Sequence, residues 1–122
     1  MILTFSKEQF KNKYLAGIKI HTLREDIHNR WRPGMKIHLW LHNPRNVSKH
    51  PYCFAENTCK GVQYVNIFGV NVFLENRFLS EPEIHQMAIN DGFESEASFF
   101  AWFNHSGKAW CGKIIHWTDF RY

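Results

Sequence analysis

Residues 35–42, Met-Lys-Ile-His-Leu-Trp-Leu-His, alternate apolar with polar or amphipathic side chains. Successive side chains of a β-strand point to opposite faces, so this period of two predicts a strand with one face toward a core. The preceding Arg32-Pro33-Gly34 has the composition of a turn and marks where the strand begins. The sequence therefore predicts at least one β-sheet.

Further extended segments are indicated on either side of that strand. Residues 62–74 are rich in β-branched and aromatic side chains but are interrupted by Gly69, which predicts either two strands or one strand bent at a bulge. Residues 18–24 are predicted to be extended, and residues 113–117 to form a final strand. Residues 43–60 hold two prolines, three asparagines and no period, which predicts a long surface excursion that serves a site or an interface.

The first helix is predicted by signals at both of its ends. Ser6 and Gln9 have the spacing of a capping box, which places the first helical residue at Lys7. Gly17 stands where a left-handed stop is expected. The side chains expected to be buried are Phe10, Tyr14 and Leu15.

Two more helices are predicted in the second half of the chain. Ser80 and Glu83 form a second capping box, and the helix that follows is expected to end near Asp91-Gly92. Residues 96–104 are predicted to form the third helix. Its expected buried stripe is Phe99, Trp102 and Phe103.

The order of these elements is helix, strands, two short helices, strand, without the alternation of strands and helices that parallel sheets require. It predicts an α+β fold with a mostly antiparallel sheet or small β-barrel and short helices packed at its ends. A chain of 122 residues, 44% of them hydrophobic, can bury one core but is too short for two domains. We expect a single domain over residues 1–122.

The net charge, the N-terminal residues and the cysteine content indicate which partners and which cellular compartment to expect. A formal net charge of +4 with eight histidines suits anionic partners such as nucleic acid. Residues 1–5 lack the basic leader and longer apolar run of a signal peptide, and no window approaches eighteen apolar residues, which predicts a soluble cytoplasmic protein with no membrane partner. Three cysteines, an odd number, favour reduced thiols over a disulfide framework.

The segment Gly17-Ile18-Lys19-Ile20-His21-Thr22-Leu23-Arg24 brings an amine, a hydroxyl and a guanidinium close together. Strict alternation would place Lys19 and Thr22 on opposite faces of a strand, so the backbone has to turn or bulge between them if they share a cavity. A partly desolvated Lys19 beside Arg24 would lose proton affinity and become a base able to activate the Thr22 hydroxyl. The alternative is that the two cations are solvated surface charges and that Thr22 only favours a strand.

Other candidate site residues lie further along the chain. Asp91, before Gly92, is either a site carboxylate or a turn residue that bonds its own backbone. Trp31 and Tyr52, near loops and accompanied by arginines and lysines, are candidates to stack bases, whereas most aromatic residues belong to the core. The histidines and cysteines lack the spacing of a metal site, so we expect no metal and no cofactor.

Two parts of the sequence resemble ASCH domains of the PUA-like superfamily. The first is the run Gly17-x-Lys19-x-x-Thr22-x-Arg24 followed by Trp31-Arg32-Pro33-Gly34 and the strand after it. The second is Ala88-Ile89-Asn90-Asp91-Gly92-Phe93, then a helix, then Gly112-Lys113-Ile114-Ile115-His116-Trp117. The resemblance covers most of the chain except residues 43–60 and implies a PUA-like β-barrel, a fold associated with RNA and modified nucleosides.

The resemblance leaves three functions open. One is a module that binds RNA or a nucleoside-like ligand through Lys19, Arg24, Thr22 and Asp91. Another is a small hydrolase, either a ribonuclease or an amidohydrolase on N-acylated cytidine, in which the resemblance implies a Thr22 nucleophile, a Lys19 base and an Asp91 acid. The acid in similar hydrolases is glutamate, one methylene longer. The third is an interaction domain with a vestigial pocket, in which these side chains would not converge.

Overall fold

The computed structural model describes all residues 1–122 and contains eight β-strands and three α-helices. Their bounds are β1 Ile2–Phe5, α1 Glu8–Leu15, β2 His21–Arg24, β3 Lys36–Leu41, β4 Tyr52–Thr58, β5 Gly61–Phe68, β6 Asn71–Leu74, β7 Arg77–Phe78, α2 Glu81–Asn90, α3 Glu96–Phe103 and β8 Trp110–His116. A single turn of 3₁₀ helix covers Val47–Lys49. None of the helices has the length and apolar character needed to cross a membrane.

The strands are hydrogen-bonded as two sheets. One has the order β1-β3-β4, with β1 parallel and β4 antiparallel to β3. The other has the order β2-β8-β5-β6-β7 and is antiparallel throughout. The predicted α+β class with mostly antiparallel sheets and short helices is confirmed.

The predicted alternation along β3 is visible in its packing. Ile37, Leu39 and Leu41 are buried and belong, except for Leu41, to one core cluster of 22 residues. That cluster also takes Val65 and Ile67 from β5. Gly69 lies in the tight turn between β5 and β6, so residues 62–74 form two strands rather than one bent strand.

The prediction of an irregular excursion over residues 43–60 is wrong in its second half, because β4 pairs with β3 there. The strand has no sequence period because it lies at the edge of its sheet and none of its residues is fully buried. Its register with β3 shifts between Leu39 and Trp40, which further disturbs any regular alternation. Only the segment before Tyr52, with its 3₁₀ turn, runs over the surface.

The first helix begins at Glu8, one residue later than predicted, and its N-cap is Lys7 with no side-chain hydrogen bond. The predicted capping box at Ser6 is therefore wrong: β1 runs to Phe5, and the extended position before the helix falls on Lys7. Leu15 is 62% exposed rather than buried. The stop at Gly17 is confirmed, because its φ is +77° and the amides of residues 17 and 18 bond back to the last helical turn.

The later helices follow their predicted signals more closely. Ser80 and Glu83 form both hydrogen bonds of the capping box at the start of α2. The helix ends at Asn90, with Asp91 as its C-cap. In α3 the buried residues are Phe99 and Phe103, whereas Trp102 is 40% exposed and lies at the edge of a cavity.

Candidate functional site

A cavity of about 230 Å³ lies where the end of β1, the first turn of α1, strand β2 and the ends of α2 and α3 meet. One part of its wall is polar and carries two cations, a carboxylate and three hydroxyls. The other part is mainly aromatic. The lining side chains are Thr4, Phe5, Ser6, Phe10, Lys19, Thr22, Leu23, Arg24, Asp91, Phe93, Trp102 and Phe103. The four polar residues singled out from the sequence, Lys19, Thr22, Arg24 and Asp91, are therefore brought together.

Lys19 and Asp91 form the centre of the polar wall. Lys19 Nζ donates to the Asp91 carbonyl oxygen at 2.5 Å and to its carboxylate Oδ1 at 3.3 Å. Both residues are 3% exposed, so this is an ion pair almost out of solvent. The ammonium also lies 5.4 Å and 5.1 Å from the ring centres of Phe5 and Phe10. The pair thus ties the segment after α1 to the end of α2.

The backbone turn that Lys19 and Thr22 need in order to share a cavity is present. Lys19 precedes β2, and its amide bonds to the Lys13 carbonyl oxygen at the end of α1. Ile20 N–H donates to the Asn90 carbonyl oxygen, which fixes the same segment to α2. Thr22 lies within β2 and is 4% exposed. The side chain of Lys19 thus reaches the cavity from a helix-to-strand connection, and that of Thr22 from the strand itself.

Arg24 lies two residues after Thr22 on the same face of β2. One of its terminal nitrogens donates to the Thr4 carbonyl oxygen at 2.8 Å, and the guanidinium lies 4.9 Å from the centre of the Phe5 ring. Its Nε–H is buried and has no hydrogen-bond partner. A buried donor without a partner is costly, and an acceptor atom on a ligand in the cavity would relieve that cost.

Asp91 belongs to a network of buried polar side chains. His21 Nδ1 lies 3.3 Å from Asp91 Oδ1, and its Nε2 lies 2.5 Å from the Tyr122 hydroxyl. Asn90 Nδ2 donates to the same hydroxyl at 3.0 Å. With His21 donating at Nδ1 and accepting at Nε2, the imidazole holds the carboxylate in place. His21 lies inside the predicted segment, but nothing in the sequence indicates that Tyr122 would reach it.

Burial dominates the electrostatics of the cavity. Desolvation lowers the pKa of Lys19 to about 8, with the Asp91 carboxylate opposing the shift and the Arg24 charge adding to it. Desolvation also lowers the pKa of Arg24 and of His21, and Asp91 opposes both shifts. Two cations therefore face one carboxylate, and the cavity favours an electron-rich ligand.

The aromatic wall differs from the one expected. Phe10, Phe93 and Trp102 meet edge to face, with ring centres 5.3 to 5.8 Å apart. Trp31, a predicted stacking residue, is only 6% exposed and belongs to the core cluster, so it is not available to a ligand. Tyr52 is 45% exposed but lies outside the cavity, where its hydroxyl accepts a hydrogen bond from Lys11 Nζ at 2.8 Å. The partly exposed aromatic residue at the cavity is Trp102.

Other ionisable side chains and the cysteines lie outside this cavity. A second buried ion pair joins Lys113 Nζ to Asp26 Oδ2 at 2.8 Å, and Asp26 also accepts from the amides of Arg30 and Trp31. That pair fixes the loop before β3 to β8. No group of three or more histidine, cysteine, aspartate or glutamate side chains is arranged to hold a metal ion, and the three cysteines are free.

Comparisons of the chain with protein-family models, with curated proteins and with solved structures gave no match. The features of the chain that bear on its function are therefore the cavity and the sequence resemblance to ASCH domains.

Proposed function

We propose that this chain is an ASCH-like domain of the PUA-like superfamily and that its cavity binds RNA or a modified nucleoside. The observation that carries the proposal is the convergence of Lys19, Thr22, Arg24 and Asp91 on one cavity of about 230 Å³. These residues come from the two separate runs that resemble ASCH domains. An interaction domain with a vestigial pocket would not require them to converge.

The chemistry of the walls suits a nucleoside. Asp91 accepts hydrogen bonds, Thr22 both donates and accepts, and Lys19 and Arg24 donate to carbonyl, hydroxyl or phosphate oxygens. Trp102, at the rim, offers an aromatic face on which a base can stack. The cavity is smaller than the pockets of about 300 Å³ or more that hold drug-sized ligands, so a single base and its sugar suit it better than a longer segment.

The mostly antiparallel strands and short helices agree with the proposed PUA-like architecture, although the strands form two sheets and no closed barrel. The five-stranded antiparallel sheet contains β2, which carries Thr22 and Arg24. The smaller sheet supplies β1, whose end lines the same cavity through Thr4 and Phe5. The site therefore lies where the two sheets and the helices meet.

Binding tests this proposal directly. Purified protein is titrated with cytidine, N4-acetylcytidine and a short single-stranded RNA, beside Arg24→Gln and the control Arg32→Gln, which removes the same charge from an exposed residue outside the cavity. We expect the Arg24 variant to lose about tenfold in affinity for whichever ligand binds, since one charge-assisted hydrogen bond contributes that much. For RNA, affinity should fall steeply with salt. Equal affinities of the two variants, or no binding of any ligand, would refute the proposal.

A second candidate, hydrolysis, is favoured by one further observation. Lys19, with its pKa lowered to about 8, lines the same cavity as Thr22, which is what a general base and its nucleophile require. Both polar contacts of Lys19 Nζ go to Asp91, so the amine has to leave that carboxylate before it can take the Thr22 proton. Binding therefore remains the first proposal.

Turnover separates the two candidates. N4-acetylcytidine and single-stranded RNA are incubated with wild type, Lys19→Ala and Thr22→Ala, and released acetate or cleaved RNA is measured. A hydrolase would lose activity in both variants. If no product forms, or if both variants equal wild type, the chain is not a hydrolase of this kind.

A further inference from the structure

A second recess adjoins the cavity and shares part of its wall. It has a volume of about 320 Å³, and Thr4, Phe5 and Ser6 line both spaces. Its other side is formed by the segment that follows β3. The residues of that side are His42, Asn43, Asn46 and Lys49. This side belongs to residues 43–60, the part of the chain outside the family resemblance, apart from His42 just before it.

The recess presents hydrogen-bond donors. The side-chain oxygen of Asn43 accepts from the Arg45 amide at 2.9 Å, and that of Asn46 accepts from the Ser48 hydroxyl at 2.8 Å. Because a backbone N–H can only donate, the oxygen of Asn43 is fixed on that partner and its NH₂ group is left for other contacts. In Asn46 the side-chain oxygen accepts from a hydroxyl instead, and the NH₂ group makes no hydrogen bond within the loop.

The charge of the recess has one sign. Lys49 lines it and takes part in no ion pair, and no carboxylate belongs to its wall. His42 adds an imidazole ring, whose N–H group can donate a hydrogen bond. A cation with amide and hydroxyl donors, and without a competing carboxylate, favours an oxyanion.

The backbone around the recess is already fixed. His42 N–H donates to the Phe5 carbonyl oxygen at 2.8 Å, which joins the two walls. The 3₁₀ turn Val47–Lys49 is closed by the Lys49 amide, which bonds to the Asn46 carbonyl oxygen at 3.1 Å. The donors are therefore held on a short, internally bonded loop rather than on a free strand.

We propose that this recess binds a phosphate, either the monoester of a nucleotide or the diester next to a bound nucleotide in RNA, whose nucleoside occupies the cavity. The proposal builds on the binding function proposed above and adds that the phosphorylated ligand is preferred over the free nucleoside. Lys49 and the amides of Asn43 and Asn46 bind the phosphate oxygens. The shared wall, Thr4 to Ser6, is the boundary between the sugar and the phosphate.

Inorganic phosphate tests the recess without any nucleoside. The side-chain NH₂ signals of Asn43 and Asn46 are followed by NMR during a phosphate titration of wild type, Lys49→Ala and the control Lys36→Ala. Lys36 is an exposed lysine at the opposite end of β3, about 20 Å from the recess at 3.3 Å per residue. We expect saturable shifts in wild type and Lys36→Ala and their loss in Lys49→Ala. Unaffected signals, or equal responses of both variants, would overturn the phosphate site.

Nucleotides then test its link to the cavity. Affinities of wild type and Lys49→Ala are measured for cytidine, cytidine 5′-monophosphate, cytidine 3′-monophosphate and a dinucleotide. We expect about a tenfold preference for a phosphorylated ligand in wild type and none in Lys49→Ala, and the preferred ligand distinguishes monoester from diester. Equal binding of nucleoside and nucleotides refutes this inference and leaves the proposed function standing. Phosphate binding without any nucleoside binding refutes the proposed function and reduces the recess to a simple anion site.

Discussion

The ammonium of Lys19 donates to the backbone carbonyl oxygen of Asp91 at 2.5 Å and to the carboxylate of the same residue at 3.3 Å. The two residues are 72 positions apart in the chain. Each is nearly inaccessible to water, so neither charge is stabilised by solvent. The pair therefore serves both the fold, by joining the segment after α1 to the end of α2, and the cavity that it lines.

Removing Asp91 tests how much the ion pair between Lys19 and Asp91 contributes to the free energy of unfolding. Asp91→Ala leaves Lys19 buried beside Arg24 without a carboxylate, and we expect the free energy of unfolding to fall by about 3 kcal/mol, as for other broken buried ion pairs. The double variant Lys19→Met/Asp91→Ala removes both members of the pair and leaves only the Arg24 charge without a carboxylate, so part of that loss should be recovered. Urea denaturation of wild type, both single variants and the double variant gives the coupling energy. Strictly additive losses would contradict the pairing.

The lowered pKa of Lys19 predicts a stability that rises on the alkaline side. Its pKa is about 8 in the folded chain and 10.5 in its ordinary state, so between these values the unfolded chain binds the additional proton. Stability then increases as pH rises from about 8 toward 10.5. Thermal unfolding of wild type and Lys19→Met over this range isolates the effect, because other groups titrate alike in both. Parallel curves would show that Lys19 keeps an ordinary pKa.

His116 predicts a loss of stability on the acid side. Its ring is fully buried, Nε2 bonds to Gln63 Oε1 at 3.0 Å, and Nδ1 has no partner. Burial, helped by the His21 and Arg121 charges, lowers its pKa from 6.5 to about 3. Stability is therefore fully present above pH 6.5 and is lost as pH falls toward 3. Replacing His116 with Gln should flatten this decline in acid unfolding curves, and an unchanged slope would assign the decline to other groups.

The two predicted capping boxes give a matched test of what local sequence decides. At the start of α2, Ser80 Oγ accepts from the Glu83 amide, and the Ser80 amide donates to the Glu83 carboxylate at 3.0 Å. At the start of α1, Ser6 makes no such contact. Ser80→Ala should lower the free energy of unfolding by about 1 kcal/mol, and Ser6→Ala should change it by less than about 0.5 kcal/mol. Equal losses in urea denaturation would mean that Ser6 caps α1 in solution.

Local patterns predicted much of the fold, because they depend on neighbours in sequence. The alternation of β3, the stop at Gly17 and the capping box of α2 are of this kind. Strand β4 could not be predicted in the same way, because it is held by pairing with β3 at an edge and carries no buried face of its own.

The site was only partly predictable for a related reason. Thr22 and Arg24 share a face because of strand geometry, which the sequence shows. That Asp91 meets Lys19 follows from tertiary packing, and only the family resemblance suggested it. Nothing local distinguishes Trp31, which became buried in the core, from Trp102, which lines the cavity. The polar support from His21 and Tyr122 depends on contacts 101 residues apart, beyond the reach of any periodic pattern.

Gly17 and Gly92 both have a left-handed backbone conformation, but only Gly92 is close to other side chains. Alanine substitutions at the two positions therefore distinguish backbone strain from steric contact in the cavity. Gly17 has φ +77° with nothing within 4 Å of an added Cβ, so Gly17→Ala should cost about 1 kcal/mol of stability through backbone strain alone. Gly92 has φ +94°, and an added Cβ would lie 3.0 Å from Phe10 Cδ1 and 3.1 Å from Lys19 Cδ.

Gly92→Ala should therefore carry the same strain and also push Lys19 away from Asp91. The ε-methylene NMR signal of Lys19, followed through its titration near pH 8, reports this displacement independently of any ligand. We expect the titration midpoint to move in Gly92→Ala and to stay unchanged in Gly17→Ala, while urea denaturation records a larger loss for Gly92→Ala. An identical Lys19 titration in both variants would show that the cavity absorbs the added methyl group without moving the amine, because Phe10 alone gives way.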